Sequence, residues 1–144
     1  MTRDEFLASA RAHGATLGNA ASAHDIELTC SGLQRLRAAT LPAYMREFYT
    51  ICGGVILGNA FIFGPTEIPN ELQYPMPPIT TINDEIRDLS IMRGMTVWGR
   101  NDLFWFGFDA FGTCYMLDNL NLNKLRKYDD PYRAMIDCIA IGKL

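Results

Sequence analysis

The chain has 144 residues, 49% of them apolar and 20% charged, with a formal net charge of −3. That balance excludes a disordered chain, which lacks apolar residues to bury, and it offers no basic excess for a nucleic-acid groove. A domain of this length buries roughly 68–70% of its unfolded surface, so it needs neither disulfide nor metal to fold.

Thr2 and Glu5 form a capping box at the first helix start, and Phe6, Leu7 and Ala10 share one face before Gly14 ends the helix. Residues 13–32 are rich in Ala, Gly and Ser and predict a long connection, with at most a short strand at 26–28. Leu41-Pro42 opens a second helix with proline at the first helical position. Leu41, Tyr44, Met45, Phe48 and Cys52 make its core stripe. Gly53-Gly54 then stops it, glycine taking the left-handed conformation after the last turn.

Residues 55–57 and 60–63 flank Gly58-Asn59 and predict a type II′ hairpin. Residues 66–72 predict one or two helical turns. Thr81 and Asp84 bracket another helix start, and Gly94 closes that helix. Strands follow at 95–98, 103–108 and 113–117, with a turn at 99–102 between the first two. Residues 122–128 predict an edge strand guarded by Lys124, Arg126 and Lys127. Asp130-Pro131 opens the last helix, which ends at Gly142. Short connections between the strands make the sheet antiparallel. The expectation is α+β: a single domain over residues 1–144, with a hairpin-plus-meander sheet covered by about four helices. Leu41, Tyr44, Phe48, Phe61, Phe63, Phe104, Phe106 and Ile136 are expected in the core.

Leu41, Pro42, Tyr44 and Phe48 ahead of Gly53-Gly54 begin an ordered series of motifs. It continues through residues 60–63 with Glu67-Ile68, then Val97-Trp98-Gly99. Phe106-Gly107-Phe108-Asp109, Gly112 and Tyr115-x-Leu117-Asp118 follow, with a closing helix at 132–139. The series covers about 40–140 and resembles the SUKH superfamily; residues 1–39 match nothing in it. That superfamily includes bacterial immunity proteins against polymorphic toxins, many of them nucleases, and the Smi/Knr fungal regulators of cell-wall glucan synthesis. The resemblance implies a non-enzymatic protein-binding domain, with a cognate toxin as partner and a role in toxin immunity. A regulator or scaffold of cell-wall synthesis is one alternative. A hydrolase or transferase with an unrecognised carboxylate site is another.

The chemistry-bearing residues agree with a non-enzyme. His13 and His24 lack metal-binding spacing, and Cys30, Cys52, Cys114 and Cys138 contain no CxxC pair. Cys52 and Cys114 read as buried structural thiols, and all four cysteines as reduced. No catalytic residue, metal or cofactor is expected. Asp102, Asp109 and Asp118 sit beside turn residues and read as Asx turns. No apolar run approaches the roughly 18 residues of a membrane span, and no apolar h-region follows Met1-Thr2-Arg3-Asp4-Glu5. Contact with neither membrane nor nucleic acid is expected, and the location is cytoplasmic.

Residues 51–94 carry five carboxylates against two arginines, a local balance of −3. Asp84, Glu85 and Asp88 are accounted for first as a solvated helix face; the functional alternative is docking onto a basic surface. Tyr74, in the run Tyr74-Pro75-Met76-Pro77-Pro78, reads either as a partner anchor or as part of a loop folded over the sheet. The candidate partner-binding region is Glu67, Glu71, Tyr74, Asp84, Glu85 and Asp88 as one contiguous surface.

Overall fold

The computed structural model describes residues 1–70, 74–92 and 94–143, with only the backbone described at 90–92 and 141–143. Helix α1 (Arg3–Ala12) starts on the expected capping box. The Thr2 hydroxyl accepts from the Glu5 N–H at 3.1 Å, and the Glu5 carboxylate accepts from the Thr2 N–H at 3.3 Å. It ends in a Schellman turn, in which Gly14 N–H donates to Arg11 C=O and Ala15 N–H to Ala10 C=O. Gly14 there has φ +82°.

Residues 13–32 are not the expected connection. They hold strand β1 (Thr16–Leu17) and most of helix α2 (Ala23–Arg35). The Ser22 hydroxyl accepts from the Asp25 N–H and caps α2, which buries Ile26, Thr29 and Leu33. α2 ends in the same Schellman pair as α1: Arg37 N–H to Gln34 C=O and Ala38 N–H to Leu33 C=O. Arg37, at φ +61°, stands where that turn favours glycine.

Helix α3 (Ala43–Ile51) follows Pro42, which occupies the N-cap rather than the first helical position. Met45 and Phe48 are buried, as are the flanking Leu41 and Cys52, and Tyr44 is half-buried. Gly53-Gly54 is not a left-handed helix cap. Cys52 already has extended backbone at φ −143°, and Gly54 alone of the glycine pair has positive φ, at +140°. The pair serves close packing instead. A Cβ on Gly54 would lie 2.8 Å from Met76 Cε and 2.9 Å from Ile68 Cδ1, and one on Gly53 would strike the Asn19 carbonyl oxygen.

Strands β2 (Val55–Leu57) and β3 (Ala60–Ile62) make the hairpin. Gly58 has φ +60° and Asn59 does not have positive φ, which is the type II′ pattern. The described part of 66–72 is not helical; Ile68 forms an isolated antiparallel bridge with Met76 instead. Helix α4 (Ile79–Glu85) begins at Ile79 behind Pro78, earlier than Thr81, and breaks at Ile86 before α5 (Arg87–Met92). β4 (Thr96–Arg100) runs through the expected turn, because Gly99 and Arg100 pair with Phe106 and Trp105 of β5 (Phe104–Phe108). β6 (Cys114–Asp118) and β7 (Lys124–Tyr128) follow. The last helix, α6 (Pro131–Lys143), is capped by Asp130, whose carboxylate accepts from the Tyr132 N–H at 2.9 Å.

Among the described residues, seven strands form one antiparallel sheet in chain order, β1 to β7, accompanied by six helices rather than about four. Register partners share a sheet face. Ile62, Gly99, Phe106, Cys114 and Tyr128 therefore lie on the face covered by α6, where Cys138 packs against Gly99 and Asp137 accepts from the Tyr128 hydroxyl at 2.6 Å. Leu41, Phe48, Phe63 and Phe106 are buried as expected, whereas Tyr44, Phe61, Phe104 and Ile136 are half-buried. Among the described residues no helix is long and apolar enough to cross a membrane.

Candidate functional site

The face away from α6 carries a continuous cross-strand row: Phe61, Arg100, Trp105, Leu117 and Lys124. At its β3 end lies an open groove of about 1190 Å³. Phe61 and Phe63 are its floor, their rings stacked at 6.4 Å and 13°. Residues 74–77 form one wall, and Ile82 and Glu85 of α4 the other. Asn59, Arg100 and Asp102 complete the lining.

Each wall is held by contacts that local sequence does not advertise. The base of the 74–77 loop is closed by two backbone bonds, Ile68 N–H to Met76 C=O at 3.0 Å and Met76 N–H to Ile68 C=O at 2.8 Å. The Met76 and Ile68 side chains seat on the bare backbone of Gly54. Proline on both sides of Met76 limits the loop further. With Met76 buried, Tyr74 is thrown outward and is 92% exposed. It therefore stands at the groove rather than folded over the sheet.

The α4 wall is pinned by Asn83, which is almost completely buried. Past Phe63 the β3 chain leaves the sheet, so the backbone of Val97 loses its ladder on that side. The Asn83 amide replaces the missing strand: its oxygen accepts from Val97 N–H at 2.9 Å and its nitrogen donates to Val97 C=O at 2.8 Å. The same nitrogen donates to Ile79 C=O at 2.9 Å. Asn83 thereby sets where Ile82 and Glu85 stand. It was missed in the sequence, where an asparagine between Ile82 and Asp84 looks like any polar helical position.

Of the six candidate residues, two are in the groove lining. Tyr74 and Glu85 line the groove together. Glu67 lines a separate cleft beside β1, with Gly53 and Asp25. Asp84 is exposed and paired with Arg87 at 3.5 Å, and Asp88 is exposed in the first turn of α5; neither lines the groove. Glu71 lies outside the described residues. Asp102, read as an Asx-turn former, leaves that role to Asn101, whose side-chain oxygen accepts from Leu103 and Phe104 N–H. Asp102 borders the groove instead. Asp109 and Asp118 do make the expected turn bonds, to Phe111 and Thr113 N–H and to Leu120 and Asn121 N–H.

A second cleft, of about 410 Å³, holds Tyr44, Phe111, Cys114 and Lys127. Tyr44 donates to Gly112 C=O at 2.8 Å, and its oxygen lies 3.0 Å from the Cys114 sulfur. Burial pushes the Cys114 thiol up to about 11, against the weaker opposing pull of the Tyr44 hydroxyl. The indole N–H of Trp98 has no full hydrogen-bond partner among the described residues and acts on this sulfur only as a weak donor. A thiol that stays protonated at neutral pH is no nucleophile. Burial likewise raises Cys52 and Cys138. All four cysteines are free thiols. Among the described residues, no three His, Cys, Asp or Glu side chains stand close enough to hold a metal ion. No protein-family model, curated protein or solved structure matches this chain.

Proposed function

We propose that this chain is a non-enzymatic protein-binding domain of the SUKH immunity type, which neutralises a cognate toxin in the cytoplasm by occluding it. The groove carries this reading. An exposed tyrosine on a stiffened loop beside a stacked aromatic floor is the arrangement of an interface anchor: it adds contact area at little entropic cost. The surrounding chemistry supports binding. Glu85 and Asp102 are both exposed at the groove, placed to meet a basic partner surface.

The test pairs the chain with the product of a toxin gene encoded beside its own. Co-expression should rescue growth, and Tyr74→Ala or Glu85→Lys should abolish the rescue while the purified variants keep their unfolding midpoints. Turnover of esterase, phosphatase or nuclease substrates that disappears in Asp102→Asn, with the fold intact, would overturn the proposal in favour of an enzyme.

A further inference from the structure

We infer that the groove accepts one extended segment of its partner, in which apolar side chains alternate with lysine or arginine. This rests on the protein-binding reading above and adds the chemistry of the occupant. The floor is apolar, with half-buried Phe61 stacked on buried Phe63 and buried Ile82 in the adjoining wall, so it rewards an aliphatic or aromatic side chain. The borders carry opposite chemistry. Glu85 stands on α4 and Asp102 on the β4–β5 turn; both are exposed, and neither is ion-paired among the described residues.

The Arg100 guanidinium sits 4.8 Å over the Trp105 ring, and with Glu85 and Asp102 against it the lining carries a net charge of −1. Charge complementarity thus favours a basic partner at both rims. The backbone of the groove adds a geometric condition. β3 and β4 are interior strands, each paired on both sides, so they leave no free edge for strand addition. The occupant is held through side chains alone. An extended chain sends alternate side chains to the floor and the intervening ones outward to the carboxylates, by its period of two.

The experiment follows backbone amide resonances of the full chain during titration with two capped synthetic peptides. One alternates lysine with leucine; the other replaces every lysine by glutamate. The lysine peptide should shift amides at 59–63, 74, 76, 82–85 and 100–102, and the glutamate peptide should not. Glu85→Lys with Asp102→Lys should weaken the lysine peptide by about tenfold or more and turn the preference toward the glutamate peptide. Both residues are exposed, so the double variant should fold, which its unfolding midpoint checks. Tyr74→Ala should weaken the lysine peptide without reversing the preference. Equal binding of the two peptides, shifts confined to another surface, or no binding of either would overturn the inference. If the peptides fail while growth rescue still depends on Tyr74 and Glu85, only the occupant's chemistry is wrong. If the lysine peptide binds but rescue fails and carboxylate-dependent turnover appears, the immunity reading falls and the groove's preference stands.

Discussion

Phe48 is fully buried, with its ring 5.9 Å from Phe6 and 6.2 Å from Tyr49, so it joins α1 to α3. Phe48→Ala should cost about 3–5 kcal/mol by urea denaturation, the sum of lost transfer energy and a cavity. A loss below about 1 kcal/mol would mean that the site collapses around the smaller side chain. Titration of the buried thiols gives a second prediction at this scale. In the unfolded chain Cys114 ionises near its ordinary value of 9.0, and in the folded chain only near about 11. Between those values the folded state binds more protons, so stability is complete below pH 9 and falls as pH rises toward 11. The expected loss is about 2–3 kcal/mol for this group, and the raised Cys52 and Cys138 act in the same direction. Denaturation midpoints measured across that range check it, with Cys114→Ala flattening the curve. At neutral pH a thiol reagent should label half-buried Cys30 fast and the other three only on unfolding.

At the scale of elements, α1 and α2 end in the same turn but with different residues at the left-handed position. Gly14 adopts that conformation freely, whereas Arg37 carries a Cβ against the following carbonyl. Arg37→Gly should therefore raise stability by about 1 kcal/mol, less some gain in unfolded-state entropy. Gly14→Ala should lower it; opposite signs in the two urea midpoints are the check. Helix α4 depends on one side chain. Asn83→Leu removes three hydrogen bonds and strands the buried N–H and C=O of Val97, which should cost about 1–3 kcal/mol per orphaned group. Because α4 is a groove wall, the same variant should also weaken the lysine peptide. Normal stability in Asn83→Leu would show that water reaches Val97. The cap of α2 at Ser22 went unread in the sequence, because its apolar stripe of Ile26 and Leu33 is narrow and its end carries no glycine. Helical pattern and stop signal were both weak there, and packing against α3 and α4 decided the element.

Across the whole molecule the two sheet edges are both guarded against strand addition. β1 is only two residues long, and β7 carries Lys124, Arg126 and Lys127 beside an irregular register at Met116/Leu117. On the proposed function the partner surface is therefore a face rather than an edge, with the acids near the groove acting through their field. Reversing Asp84 and Glu85 to lysine should slow association with a basic partner strongly at low salt. The difference should fade above about 0.15 M, where the Debye length is near 8 Å. Stability should stay within about ±0.5 kcal/mol, because both side chains are exposed. Association rates of wild type and variant against ionic strength decide this, and equal rates at low salt would leave these acids a solvated helix face.

The sequence by itself determined the α+β class, the hairpin and meander, the capped first and last helices and part of the aromatic core. Those features rest on local signals: side-chain period, turn residues and caps within a few positions of one another. Tertiary structure decided the rest. It brought Tyr74 and Glu85 to one groove while placing Glu67 in another cleft. It also turned Gly53-Gly54 from a helix stop into a seat for Met76 and Ile68. Asp102 and Asn83 took roles no neighbour in the chain announced, one bordering the groove and one substituting for a strand. The physical reason is common to all of these. A backbone that leaves a sheet, as β3 does after Phe63, creates needs for packing and hydrogen bonds that only residues distant in sequence can meet.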